Sequence, residues 1–129
     1  MDAMTRLPAL FLSHGSPMLA VEDSPAGRFL DGLGGQWPRP RAIVVASAHF
    51  EADQPSVGGA PEPQTVHDFG GFPSQLYQIR YPAPGAPELA EAIARRLSDA
   101  GSAARVCSHH WLDHGVWVPL RRAYPEADI

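Results

Sequence analysis

The chain has 129 residues, 44% of them hydrophobic and 19% charged, with a net charge of −4. That is enough polypeptide to bury one core, and it is not the composition of a disordered chain. Only 10 residues are Lys or Arg and none form a basic run, so no nucleic-acid footprint is expected; no apolar run is long enough to span a bilayer, so no membrane partner is expected either.

Cys107 is the single cysteine, which excludes an internal disulfide and gives no argument for secretion. The opening MDAMTRLPALFLSHG has too short an apolar segment for a secretory leader. The expected location is the cytoplasm.

In chain order, Ala9 to Ser13 reads as a short buried strand that stops at His14, with Gly15-Ser16-Pro17 ending it. Glu22 to Leu33 reads as a loop running into a helix, with Ser24 as its N-cap and Pro25 as its first residue. Gly34-Gly35 stops that helix. Arg41 to Ser47 is apolar throughout its centre, as a parallel strand buried on both faces would be, and it ends in Ala48-His49. Strand, helix and strand make a βαβ unit. Its parallel strands would place His14 and His49 together at their carboxyl ends, the edge where open α/β sheets bind ligands.

Asp53 to Gln64 is a Pro- and Gly-rich loop with room for a short strand at Ser56-Val57. Thr65 to Pro73 holds His67, Asp68 and Phe69 and suits a loop lining a pocket. Leu76 to Tyr81 alternates enough to suggest a strand. Ala86 to Ala100 is the clearest helix, with Leu89, Ile93 and Leu97 on one face, acidic residues early and Arg95-Arg96 late. Ala104 to Ser108 reads as a third strand, followed by His109-His110-Trp111-Leu112-Asp113-His114-Gly115. A short helix is expected over Val116 to Tyr124, with Pro119 in its first turn. The ending Ala127-Asp128-Ile129 resembles the start of another strand.

The fold class expected is therefore α/β: a mostly parallel sheet flanked by helices, with a metal site at the carboxyl ends of the strands. Residues 1–129 read as the amino-terminal part of a single catalytic domain.

Two strand-end histidines supply half of a metal site. A facial triad of two histidines and a carboxylate suits non-haem Fe(II), and three ligands plus water suit catalytic zinc. His114, between a carboxylate and a glycine, is a candidate ligand or general base. Asp113 reads either as a ligand or as a solvated loop acid. His109 and His110 suit a loop or surface role, and Cys107 a small core residue. No GxSxG elbow, P-loop or GxGxxG is present. His14-Gly15 resembles the opening of histidine phosphatases, but Ser13 stands where they place a phosphate-holding arginine.

LPALFLSHGSPM, AIVVASAHFE, TVHDFGGFPSQLYQIRYPAPG and LDHGVWVPLRRAYPEADI, in that order, resemble the class III extradiol ring-cleavage dioxygenases, in particular the DOPA 4,5-dioxygenase-like branch. The resemblance implies an enzyme that opens a catechol with O2 at a non-haem metal, Fe(II) foremost and zinc as the alternative. It implies His14 and His49 as metal ligands, His114 as the acid–base residue, and His67, Asp68 and Phe69 as bordering the substrate. Further family ligands, in His-Asn and Pro-Glu-His segments, have no counterpart in the chain. That leaves open an inactive or purely binding protein of the same fold, and zinc hydrolysis is a further reading. Trp111 also departs from the family, where a small residue is expected; its indole would reshape the pocket near His114.

Overall fold

The computed structural model describes residues 6–129; the part of the leader reading that rests on residues 1–5 lies outside them. The architecture is α/β, with parallel strands flanked by helices. A 3-10 helix spans Pro17–Ala20, α1 spans Pro25–Leu33, β1 Ser56–Gly58 and β2 Gln64–Thr65. A second 3-10 helix, Ser74–Gln78, precedes α2 at Pro87–Asp99, β3 at Arg105–Cys107, β4 at Trp111–Leu112 and α3 at His114–Ala123.

Among the described residues the strands form two parallel pairs. β1 pairs with β3, Val57 opposite Val106, and β2 with β4, Thr65 opposite Leu112. The ladder hydrogen bonding reaches one step further on each, through Gly59 N–H to Cys107 C=O and Val66 N–H to Leu112 C=O.

The helices follow their sequence signals. Ser24 caps α1 by accepting from Gly27 N–H at 3.0 Å, with Pro25 as its first residue. α2 starts on Pro87 with Glu88 in its first turn and Arg96 in its last, matching the helix dipole. It buries Ala90 and Ala94 and leaves Leu89 and Leu97 partly exposed.

α3 is the centre of the core. Trp117 and Val118 are completely buried, packed with Leu19, Leu30, Leu33, Leu76 and Tyr81. The Trp117 indole N–H donates to Val66 C=O at 2.8 Å, so this large ring is buried without stranding its one donor. Arg122, in the last turn of α3, forks onto Asp31 of α1 and also donates to Leu19 C=O and Glu22 C=O. One guanidinium thus ties α3 to α1 and to the chain just before it.

Three expected strands and one helix start require correction. Ala9–Ser13 and Arg41–Ser47 carry no strand ladder. Their apolar side chains lie open: Phe11 is fully exposed and Val44 is 67% exposed. Apolar patterning reports a tendency to be buried, but a strand also needs a hydrogen-bonded neighbour, and neither segment meets one among the described residues. Leu76–Tyr81 is also not a strand. Its first half winds into the 3-10 helix that begins after Pro73, burying Leu76. Finally, α3 begins at His114, two residues before the expected Val116, because Asp113 caps it. Pro119 consequently lies inside the helix and beyond its first turn; its ring leaves the Gly115 carbonyl without the usual i+4 donor.

Candidate metal centre

His14, His49 and His114 converge, although they come from distant parts of the chain. Each offers a ring nitrogen within 4.8 Å of the others. The ring centroids lie 5.0 Å apart for His14 and His49, 4.8 Å for His14 and His114, and 4.2 Å for His49 and His114. His49 is exposed, His14 half-buried and His114 buried.

Local sequence places each one. After His14 the backbone turns through Gly15 at φ +61°, a left-handed conformation that costs an L side chain about 1–2 kcal/mol. Ser13 Oγ accepts from Gly15 N–H, and Ser16 Oγ accepts from Met18 N–H to start the 3-10 helix. This pair of serine turns stops the chain at His14 and sends it away from the site.

His49 sits in a turn built on Ser47. The Ser47 hydroxyl oxygen accepts from His49 N–H at 3.1 Å, and its carbonyl accepts from Phe50 N–H at 3.3 Å. The same hydroxyl donates to Asp113 Oδ1 at 2.8 Å. That oxygen also accepts from Gly115 N–H at 2.8 Å and so caps α3. Asp113 is thus buried and satisfied, a strut between the His49 turn and the helix that carries His114. Sequence reasoning weighed Asp113 as a ligand or a solvated loop acid and did not single out Ser47. The signal that pointed to the cap was Asp-x-Gly ahead of an apolar helical run.

Gly115 makes the close approach possible. A Cβ there would lie 2.9 Å from Ser47 Oγ, 2.9 Å from Asp113 Oδ1 and 3.0 Å from the His49 ring. Any side chain would force the His49 turn off the helix.

His114 is held by Asp68, whose Oδ1 accepts from both the His114 backbone N–H at 3.0 Å and the ring Nδ1 at 2.9 Å. Burial acts to raise the Asp68 carboxyl, but the donors of His114 outweigh it and leave it below the ordinary aspartate value. Phe69 stands edge-on to His114 with centroids 5.7 Å apart, and Phe72, Tyr77 and Trp117 pack behind it. His67 is turned to Ile79 C=O, 2.8 Å from its Nε2, and stacks on Phe69, Tyr77 and Trp117. Of the three expected substrate-contacting residues, Phe69 borders the histidine cluster, Asp68 is engaged by His114, and His67 braces the loop from behind.

The remaining singled-out residues lie elsewhere. His110 Nδ1 accepts from Ala60 N–H at 3.0 Å, and burial holds its imidazole below its ordinary value. It is a brace between β3 and the chain after β1, more structural than the surface role expected. Cys107 is half-buried with its thiol on His109 C=O. Trp111 is half-exposed in β4 and borders an apolar groove of about 360 Å³ that Ile43, Val45, Leu89 and Ile93 also line. That groove does not include His14, His49 or His114, and Trp111 is not among the rings stacked on His114.

The donor set fits a divalent transition metal. His14 Nε2 and His49 Nε2 are 3.0 Å apart. Two nitrogens at that spacing, each about 2.1 Å from one ion, subtend roughly 90° at it, as neighbouring ligands in an octahedron do. His14 Nδ1 is buried without a hydrogen-bond partner among the described residues, so Nε2 is the nitrogen through which this ring engages its neighbours. Imidazole donors suit both iron and zinc and do not choose between them.

A family profile described as the catalytic LigB subunit of aromatic ring-opening dioxygenase matches residues 8–128. A Beta vulgaris protein named 4,5-DOPA dioxygenase extradiol is 48% identical over 127 residues, covering 92% of this chain and 46% of that protein. An Escherichia coli protein of the same name is also 48% identical, covering 97% of this chain and 46% of its own length. The crystal structure of an uncharacterized Escherichia coli K12 protein superposes with a TM-score of 0.64 at 34% identity, over 84% of this chain and 39% of that one. The chain thus spans about half the length of the curated relatives it matches.

Proposed function

This chain belongs to the family of the catalytic LigB subunit of aromatic ring-opening dioxygenases, and from that membership we propose that its protein opens a catechol ring with O2 at a non-haem metal. The 129 residues would form the amino-terminal part of the catalytic domain, consistent with their covering about half of the relatives' length. The observation that carries the proposal is the convergence of three histidines, with two Nε2 atoms 3.0 Å apart.

In this reading His14 and His49 hold the metal. A bound Fe(II) supplies a Lewis acid for the catechol oxygens and an electron path to O2, the second of which redox-inert zinc lacks. His114 takes the proton from a catechol hydroxyl and returns it later in the reaction. Phe69 forms an apolar wall beside His114, and the aromatic residues behind it exclude water from that side. A diol-bearing aromatic ring such as DOPA is the substrate class, as in the names of the relatives. Both atoms of O2 enter the product, a ring-opened semialdehyde. No helix among the described residues is long and apolar enough to cross a membrane, and we place the protein in the cytoplasm.

The test is loading with Fe(II) under argon, addition of a catechol, then air. The expected result is a yellow semialdehyde absorbance with matching O2 uptake, and none when zinc replaces iron. Turnover that proceeds without O2, or equally well with zinc, would refute the proposal.

A further inference from the structure

We propose that Asp68 is a positioning residue that fixes the tautomer and orientation of His114, leaving its Nε2 free as a proton acceptor. The inference rests on the acid–base reading of His114 given above and assigns Asp68 a part in it distinct from touching substrate.

One carboxylate oxygen of Asp68 takes two donors from the same residue, the backbone N–H and the ring Nδ1 of His114. The first is one of the amides that a helix start leaves without an internal partner, because His114 is the first residue of α3. This anchors the oxygen to the backbone. The second then fixes the ring relative to that backbone. The side chain of His114 is only 10% exposed, and the edge-on Phe69 ring blocks rotation on another side.

An ionised carboxylate accepts hydrogen bonds and cannot donate them. The proton between Asp68 and His114 therefore resides on Nδ1. The neutral ring then carries its lone pair on Nε2, and its neighbours across the cluster are His14 and His49. A ring proton on Nε2 would point a donor where an acceptor is required. Once Nε2 has taken a proton, Nδ1–H facing the carboxylate stabilises the resulting cation, the same division of labour as in carboxylate–histidine pairs elsewhere. Asp113 does not serve this purpose, because its Oδ1 is engaged by Ser47 and Gly115.

The experiment uses the full chain, metal-free and without substrate, with 15N-labelled histidine. Long-range proton–nitrogen correlation identifies the protonated ring nitrogen of His114 at one alkaline pH. The expected result is the Nδ1–H form, against the Nε2–H form that free histidine side chains favour in water. Asp68→Ala is expected to shift the population toward Nε2–H, while Asp68→Asn, whose amide oxygen still accepts, retains Nδ1–H. In the Fe(II)-loaded protein Asp68→Ala is expected to lower kcat about 10²-fold or more, the scale of acid–base catalysis, with KM within about threefold. An Nε2–H form in the wild type overturns the proposal, and that result needs no folded variant. So does an unshifted tautomer in a folded Asp68→Ala protein. If His114→Ala leaves ring opening intact, the acid–base reading of His114 fails and with it the catalytic consequence drawn here; the tautomer result separates that failure from an error about Asp68 itself.

Discussion

Replacing Asp113 with alanine removes the strut that joins the His49 turn to α3. Asp113 Oδ1 accepts from Gly115 N–H and from Ser47 Oγ, both at 2.8 Å, and the residue is 2% exposed. Losing an N-cap costs about 1 kcal/mol. The substitution also strands a part-buried hydroxyl, which costs a further 1–3 kcal/mol or so depending on how far water reaches it. The sum is roughly 2–4 kcal/mol, a large fraction of the stability of a domain of this size. Urea unfolding followed by circular dichroism reads it as a lower midpoint at unchanged slope. Ser47→Ala alone is expected to cost about 1 kcal/mol, the scale of one hydrogen bond. The double variant should lose less than the sum of the two, because both remove the same contact. A loss below about 0.5 kcal/mol for Asp113→Ala, or strict additivity with Ser47→Ala, would refute the strut.

Gly115→Ala is expected to push the His49 turn off α3, because its Cβ would lie 2.9 Å from Ser47 Oγ and 3.0 Å from the His49 ring; metal affinity, measured by titration calorimetry, should fall about tenfold or more with helical content retained. Arg122→Lys should destabilise by about 1–3 kcal/mol in the same urea assay, because a lysine cannot reproduce the fork onto Asp31 together with the donations to Leu19 and Glu22 carbonyls. Asp68 has a depressed carboxyl value, so its contribution to stability is present above the ordinary aspartate value and is lost as pH falls through the lower folded value. The stability gap between wild type and Asp68→Asn should therefore narrow below about pH 4 and stay level above it.

The sequence was most legible where local chemistry decides structure. Ser24-Pro25 starts α1 and the Leu89–Ile93–Leu97 spacing marks α2, because caps and 3.6-residue periodicity are properties of the segment itself. The meeting of His14 and His49 was also legible, since each closes an apolar run. The ladders expected before them were not found, because pairing depends on a neighbour that a single segment cannot specify. The parts of Asp68, Ser47 and Asp113 were hidden for the same reason. Each is an ordinary polar loop residue until a contact 46 or 66 positions away gives it a task. Asp113 misled in a further way: read as a loop acid, it concealed a helix start two residues earlier than the apolar pattern suggested.

The claim that His14 and His49 share one metal ion is tested most directly by anaerobic Fe(II) titration of the wild type, His14→Ala and His49→Ala. Their Nε2 atoms are 3.0 Å apart, so each variant should lose the site as a whole and not half of it. The expected result is one Fe(II) per wild-type chain and an affinity lowered more than about 100-fold in both variants, beyond the 10–100-fold typical of losing a group behind a ligand. Equal Fe(II) binding in the wild type and either variant would contradict the assignment.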